Sequence, residues 1–162
     1  MEHKVTIDMS NISKEIGYNE KAVNRYIELC LRKSCTLVRN DARKHHHFES
    51  RTGRLERAIE FMVYSKLKEG VVSINPQIAS YGVYVHEPTG IYGPNGPYKI
   101  EPKYAKKLHF FWDRLGIWVT TSLVIHNGSP ADRFLYESLN TNRAKINAIF
   151  KSNLYRLIKG GG

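Results

Sequence analysis

Apolar residues at Val23, Tyr26, Ile27, Cys30, Leu37, Val38 and Ala42 recur at the three-to-four spacing of one helix face, with Lys and Arg over much of the remainder. The pattern predicts a helix over about 19–43, and Asn19 is a residue type that caps helix starts. Ahead of it, Val5, Ile7 and Met9 alternate with polar neighbours, the two-residue period of a short strand. Residues 50–59 read as a turn entering a short helix, with Leu55, Ala58 and Ile59 inward. Residues 61–65 and 71–75 flank Lys68, Glu69 and Gly70, a hairpin signal. Residues 78–85 are apolar and brief, fitting either a helical turn or a strand.

The second half is organised differently. Pro88-Thr-Gly-Ile-Tyr-Gly-Pro-Asn-Gly-Pro97 is too rich in Gly and Pro for regular structure. A loop of ten or so residues inside a compact domain is usually functional. The pattern predicts a projecting loop with Ile91, Tyr92 and Tyr98 as apolar contact groups. Leu108, Phe110 and Trp112 then fall on one face of a strand, and 113–116 is a turn. Residues 117–125 return, with Trp118, Thr120, Ser122 and Val124 on one face and Val119, Leu123 and Ile125 on the other. This aromatic, β-branched hairpin is expected to lie in the core. Ser129 is placed as an N-cap, Pro130 at the first helical position and Asp132 as the end of a capping box. The helix so begun should run to about 158, with Phe134, Leu135, Leu139, Ile146, Ile149, Phe150, Leu154 and Leu157 as its apolar stripe and a weaker patch at 140–142 where it bends. The expected fold is α+β: a small antiparallel sheet of hairpins packed by a long N-terminal and a long C-terminal helix. Its parts are a strand and helix over 1–48, sheet and loop over 50–126, and the final helix over 129–158, forming one domain over 1–159 with a flexible tail at 160–162.

Length and composition fit this picture. A chain of 162 residues with 41% hydrophobic content can bury a core without metals or disulfides. Lys and Arg number 25 against 15 Asp and Glu, a net charge of +10, which favours a polyanion such as nucleic acid or an acidic protein surface. Cys30 and Cys35 lie on different sides of a helix and read as reduced thiols. No apolar segment suits a secretory signal or a membrane span, so neither secretion nor insertion is expected.

Candidate chemistry is sparse. His45, His46 and His47 are adjacent, and consecutive residues point in different directions, so a solvated helix end is expected there and no metal site. Glu101-Pro-Lys103, with Glu87 and Asp113 as partners, has the form of a metal-dependent nuclease triplet, but Pro102 would break the strand that such a triplet occupies. No G-x-S-x-G elbow occurs, and Gly90, Gly93 and Gly96 match no phosphate-binding loop. No catalytic residue, metal or cofactor is assigned. Tyr98, Lys99, Lys103, Tyr104, Lys106 and Lys107 interleave bases with aromatics and leave a basic nucleic-acid-binding module open.

Four motifs then stand in order: Arg51-Thr-Gly-Arg-Leu-Glu-Arg-Ala-Ile59; Tyr81-Gly-Val-Tyr-Val-His-Glu-Pro-Thr-Gly90; Ile100-Glu-Pro-Lys-Tyr-Ala-Lys-Lys-Leu-His-Phe-Phe-Trp112; and His126-Asn-Gly-Ser-Pro-Ala-Asp-Arg-Phe-Leu135. Their order and spacing over residues 50–158 resemble the tail-completion or head–tail joining (neck) proteins of tailed bacteriophages. The chain departs from that pattern at Gly82, at His86-Glu-Pro88 and at Arg133. The resemblance implies a structural, non-enzymatic virion protein, assembled in the host bacterial cytoplasm. It would form an oligomeric ring, most often a hexamer, between the portal-side connector or head-completion protein and the tail terminator or tail tube, with genomic DNA passing through its channel. On that reading Pro88, Thr89, Gly90, Ile91, Tyr92, Pro94, Gly96 and Tyr98 make subunit and partner contacts. Lys99, Lys103, Lys106 and Lys107 face DNA. Arg51, Thr52, Gly53, Leu55, Tyr84, Pro102, Trp112, Gly128, Phe134 and Leu135 are motif positions that hold the fold.

Overall fold

The computed structural model describes residues 4–8, 20–113 and 115–159. The expected strand end at Met9, the cap at Asn19 and the tail at 160–162 lie outside the described residues, as do the side chains of Leu154 and Leu157. The fold is α+β, with small antiparallel sheets and long helices near each end of the chain. It divides into two compact units, Met1–His86 with Asp132–Gly162, and Glu87–Ala131.

The first unit is built on β1 (Lys4–Asp8), α1 (Glu20–Ala42), α2 (Arg54–Ala58), β2 (Ile59–Tyr64), β3 (Glu69–Ile74), α3 (Gly82–His86) and a last helix, Phe134–Lys159. Its sheet has the order β1-β3-β2, both pairings antiparallel. Register puts Val5, Ile7, Phe61, Val63, Gly70, Val72 and Ile74 on the face that α1 covers, while Thr6, Met62 and Val71 share the other. The expected hairpin forms, but its turn is shifted. Lys68, at φ 56°, closes a turn from Tyr64 and Ser65, and Gly70 lies within β3. The displacement has a packing cause: a Cβ at Gly70 would stand 2.5 Å from the Cys35 sulfur, so only glycine lets α1 lie this close to the sheet.

Helix α1 buries Val23, Ile27, Cys30, Leu31, Ser34, Cys35, Val38 and Ala42, a full stripe at helical spacing. Leu31 and Cys35, absent from the expected stripe, are fully enclosed, as are Ser34, Val38 and Ala42; Leu37 is only partly buried. Burial pushes the Cys35 thiol up to about 11. Phe150, late in the last helix, packs with Val23, Ile27 and Leu31, whereas Phe134, at its start, meets Phe48 beyond the end of α1, so the two long helices run antiparallel. The last helix buries Phe134, Leu135 and Ile146 as expected, together with the polar Ser138, Asn142 and Asn153. The expected bend at 140–142 is one unbroken stretch of helix, where the Asn142 amide donates to the Ser138 carbonyl at 2.9 Å. Of the helical turn or strand expected over 78–85, the helical alternative holds: turns lead into α3, which begins at Gly82.

Ser129 does not cap the last helix. The helix begins at Phe134, and the Ser129 N–H donates instead to the Thr89 hydroxyl at 2.9 Å. Asp132 closes no capping box: its Oδ2 accepts from the backbone N–H groups of His47 and Phe48 at 2.6 and 2.7 Å. It thereby fastens the strap after α1 to the segment entering the last helix. Among the described residues no helix is long and apolar enough to cross a membrane.

Candidate functional site

The second unit contains a short 3₁₀ turn at Gly90–Tyr92, β4 (Tyr98–Ile100), β5 (Leu108–Trp112), β6 (Ile117–Thr121) and β7 (Val124–His126). Strand β5 pairs with β6, and β4 pairs with β7, both antiparallel. The return strand expected over 117–125 is therefore two strands in two sheets. Thr121 makes the break: its hydroxyl donates to the Leu123 carbonyl at 2.9 Å and accepts from the Leu123 N–H at 3.3 Å, folding the backbone into a local turn. Strand β4, on the edge of the Gly/Pro loop, carries no alternating pattern that would have revealed it.

The loop is anchored at its base. The Thr89 and Ile91 N–H groups donate to the carbonyls of Ser129 and Asn127, at 2.9 and 2.8 Å. Gly90 and Gly128, both at positive φ, pass backbone against backbone; a Cβ on Gly90 would fall 2.0 Å from the Asn127 carbonyl oxygen. Pro88, Thr89, Gly90 and Gly128 thus shape the loop. Ile91, Tyr92, Pro94 and Tyr98 are the exposed members of the expected contact set, and Gly96 forms a turn at φ 65°. Tyr98 stacks on His126 with ring centroids 4.9 Å apart.

The β5–β6 hairpin overturns the expectation that its aromatics are core. One face carries His109, Phe111, Trp118 and Thr120, all exposed. On it, His109 stacks on Trp118 at 4.8 Å, Phe111 meets Trp118 edge-on at 5.6 Å, and the His109 ring bonds the Thr120 hydroxyl at 2.8 Å. The other face carries the partly buried Leu108, Phe110, Val119 and Thr121, with Trp112 and Ile117 exposed at its end. Trp118 keeps 65% of its surface accessible and Ile125, on β7, 61%. Alternation alone shows that a strand has two faces and not whether anything covers them, so this surface was hidden from pattern reading.

Between β4 and β5, the stretch 103–107 bends repeatedly and is exposed throughout. Tyr104 is fully exposed (100%) and stands in sequence among Lys103, Lys106 and Lys107. Lys99 is also exposed, and Pro102 is partly buried. Among the motif positions of the first unit, Leu55, Phe134 and Leu135 are core, Tyr84 is exposed, and Gly53 precedes α2 at φ 63°. Arg51 and Thr52 rim an open groove of about 260 Å³ with Phe48, Leu55, Tyr81 and Val85.

Glu87, Glu101 and Asp113, the carboxylates of the nuclease triplet, form no group of converging ligand atoms among the described residues. A group that does converge is His47, Asp132 and Glu137, in the first unit. The three histidines diverge, as their adjacency requires. His45 pairs with Asp41 at 2.9 Å, and His46 stacks on Phe48 at 3.7 Å with its Nε2 3.7 Å from Glu56. His45 is solvated just past the end of α1, as expected, whereas His46 is tucked against Phe48 and Glu56, and His47, exposed in the strap beyond, has its ring beside Asp132.

No family model, curated protein or solved structure matches this chain.

Proposed function

We propose that the chain is a structural subunit of a tailed-bacteriophage virion, one copy in a ring at the head–tail interface that joins or completes the tail around the exiting DNA. The observation that carries this reading is the set of exposed apolar residues in the second unit: Phe111 and Trp118 on one face of the β5–β6 hairpin, Trp112 and Ile117 on the other, and Ile125 on the β4–β7 pair. Isolated two-stranded sheets are marginal in water, and contiguous exposed apolar surface marks a contact site. A second copy of the same chain is the occupant that fits best, because a ring closes by repeating one head-to-tail contact. The family is suggested by the resemblance of the ordered motifs over residues 50–158, and Ile91, Tyr92 and Tyr98 are further exposed apolar groups of the second unit. The subunit works by matching surfaces and needs no catalytic step. Its neighbours would be a connector or head-completion ring on one side and a tail terminator or tube on the other.

A second reading, a basic nucleic-acid-binding module, is favoured by Tyr104 standing fully exposed among Lys103, Lys106 and Lys107. Sedimentation of the full chain, with and without duplex DNA over a salt series, separates the two. Self-association that survives high salt and is lost in Trp118→Ala supports the ring. A monomer whose DNA affinity falls steeply with salt, and drops in a Lys103/Lys106/Lys107→Ala variant, sinks it in favour of the second reading.

A further inference from the structure

His47, Asp132 and Glu137 come from three separate segments: the strap after α1, the stretch entering the last helix, and that helix's first turn. One ligand atom from each lies within 4.8 Å of both others. The arrangement is organised around Asp132, which is only 7% exposed. Its Oδ2 is held by the backbone N–H groups of His47 and Phe48. Two such bonds fix the plane of the carboxylate, as the outer hydrogen bonds of metal-ligating carboxylates do. The other oxygen, Oδ1, stands 3.4 Å from His47 Nδ1, longer than an N–H···O bond prefers. The Asp132 and Glu137 carboxylates are therefore close neighbours across a gap that one imidazole nitrogen also borders. Like charges at this range repel, and a cation between them converts the repulsion into attraction.

We propose that His47 Nδ1, Asp132 Oδ1 and a Glu137 carboxylate oxygen bind one divalent cation. One nitrogen and two carboxylate oxygens suit a borderline ion such as Zn²⁺ better than Mg²⁺, which prefers oxygen ligands alone. The side chain of His47 is 82% exposed, so the ion has a path in from solvent, and water completes its coordination. The bound ion would tie the strap after α1 to the start of the last helix, adding to the tie that Asp132 already makes. His45 and His46 take no part, since their ring nitrogens face Asp41, the Phe48 carbonyl and Glu56. The inference is independent of the ring reading.

Isothermal titration of the tag-free full chain with ZnCl₂, and separately with MgCl₂, tests it. One Zn²⁺ should bind per chain, with Mg²⁺ much weaker. Glu137→Gln and His47→Ala should each weaken Zn²⁺ about tenfold or more. Because both side chains are exposed, neither variant should lower the metal-free thermal midpoint, and Glu137→Gln, which removes the repulsion with Asp132, should raise it slightly. A double His45→Ala/His46→Ala variant should bind as the wild type does. The proposal is overturned by the absence of saturable Zn²⁺ binding, by Glu137→Gln binding as tightly as wild type, or by loss of binding in the double variant.

Discussion

Phe134, followed by Leu135, and Trp118, between Ile117 and Val119, are both large aromatics. Phe134 belongs to the first unit and has no exposed surface, wedged between Phe48 and His86. Trp118 belongs to the second and keeps most of its surface, stacking on His109 and meeting Phe111 on its own hairpin. The first unit has a sheet with a helix laid across one face, so the apolar residues of that face are covered within the chain, while Met62 on the other face stays exposed. The second consists of two-stranded sheets, which leave apolar residues uncovered. The contrast teaches that the same residue types do two jobs here. In one unit they hold the fold, and in the other they are available to a partner.

If that division is right, substitutions in the two units should separate stability from association. The largest stability loss is expected for Phe134→Ala, about 3–5 kcal/mol by chemical denaturation, because it empties a fully enclosed site. A loss below about 1 kcal/mol would mean that Phe134 is not enclosed as described. Asp132→Ala comes next, at about 1–3 kcal/mol, since it leaves the N–H groups of His47 and Phe48 without their acceptor. Hydrogen exchange locates the effect: the amides of His47 and Phe48 should lose protection. Were Asp132 a helix cap, the amides at the start of the last helix would lose it instead.

A smaller effect concerns pH. Burial raises the Cys35 thiol from 9.0 to about 11, so the folded state holds that proton more tightly than the unfolded one. The stability from the neutral thiol is complete below pH 9.0 and declines as pH rises towards 11. Cys35→Ala should flatten the part of the wild-type decline that the thiol causes, as urea midpoints over that range would show. An equal decline in both proteins would place the thiol in contact with water. The smallest stability change belongs to the other unit. Trp118→Ala and Phe111→Ala should each stay within about 0.5 kcal/mol of wild type in the monomer, as exposed positions do.

Much of the first unit was legible in the sequence because its signals are local. The stripe of α1 repeats at helical spacing, β1 and the β2–β3 hairpin alternate, and the apolar run of the last helix needs no partner to be seen. What escaped there was tertiary. Gly70 reads as a turn residue, yet it is needed inside β3 because Cys35 stands against it. Ser129 and Asp132 read as a capping box, yet each finds a partner far away in sequence, Thr89 for one and the His47–Phe48 backbone for the other. In the second unit β5 and the return strand were legible, but β4, the break at Thr121 that separates β6 from β7, and the exposure of the aromatics were not. The His47, Asp132 and Glu137 group was equally out of reach. Its members are scattered over the chain, and the adjacent histidines drew attention to a set that does not converge.

The central claim is that the exposed aromatics of the second unit are a contact surface for further copies of the chain. It is tested most directly by the sedimentation-equilibrium mass of the wild type beside that of a Phe111→Ala/Trp118→Ala double variant. The wild type should reach the mass of a closed oligomer, while the variant stays monomeric with an unchanged unfolding midpoint in the first unit. A wild type that remains monomeric at every concentration, or a variant that assembles as the wild type does, would remove the second unit from assembly.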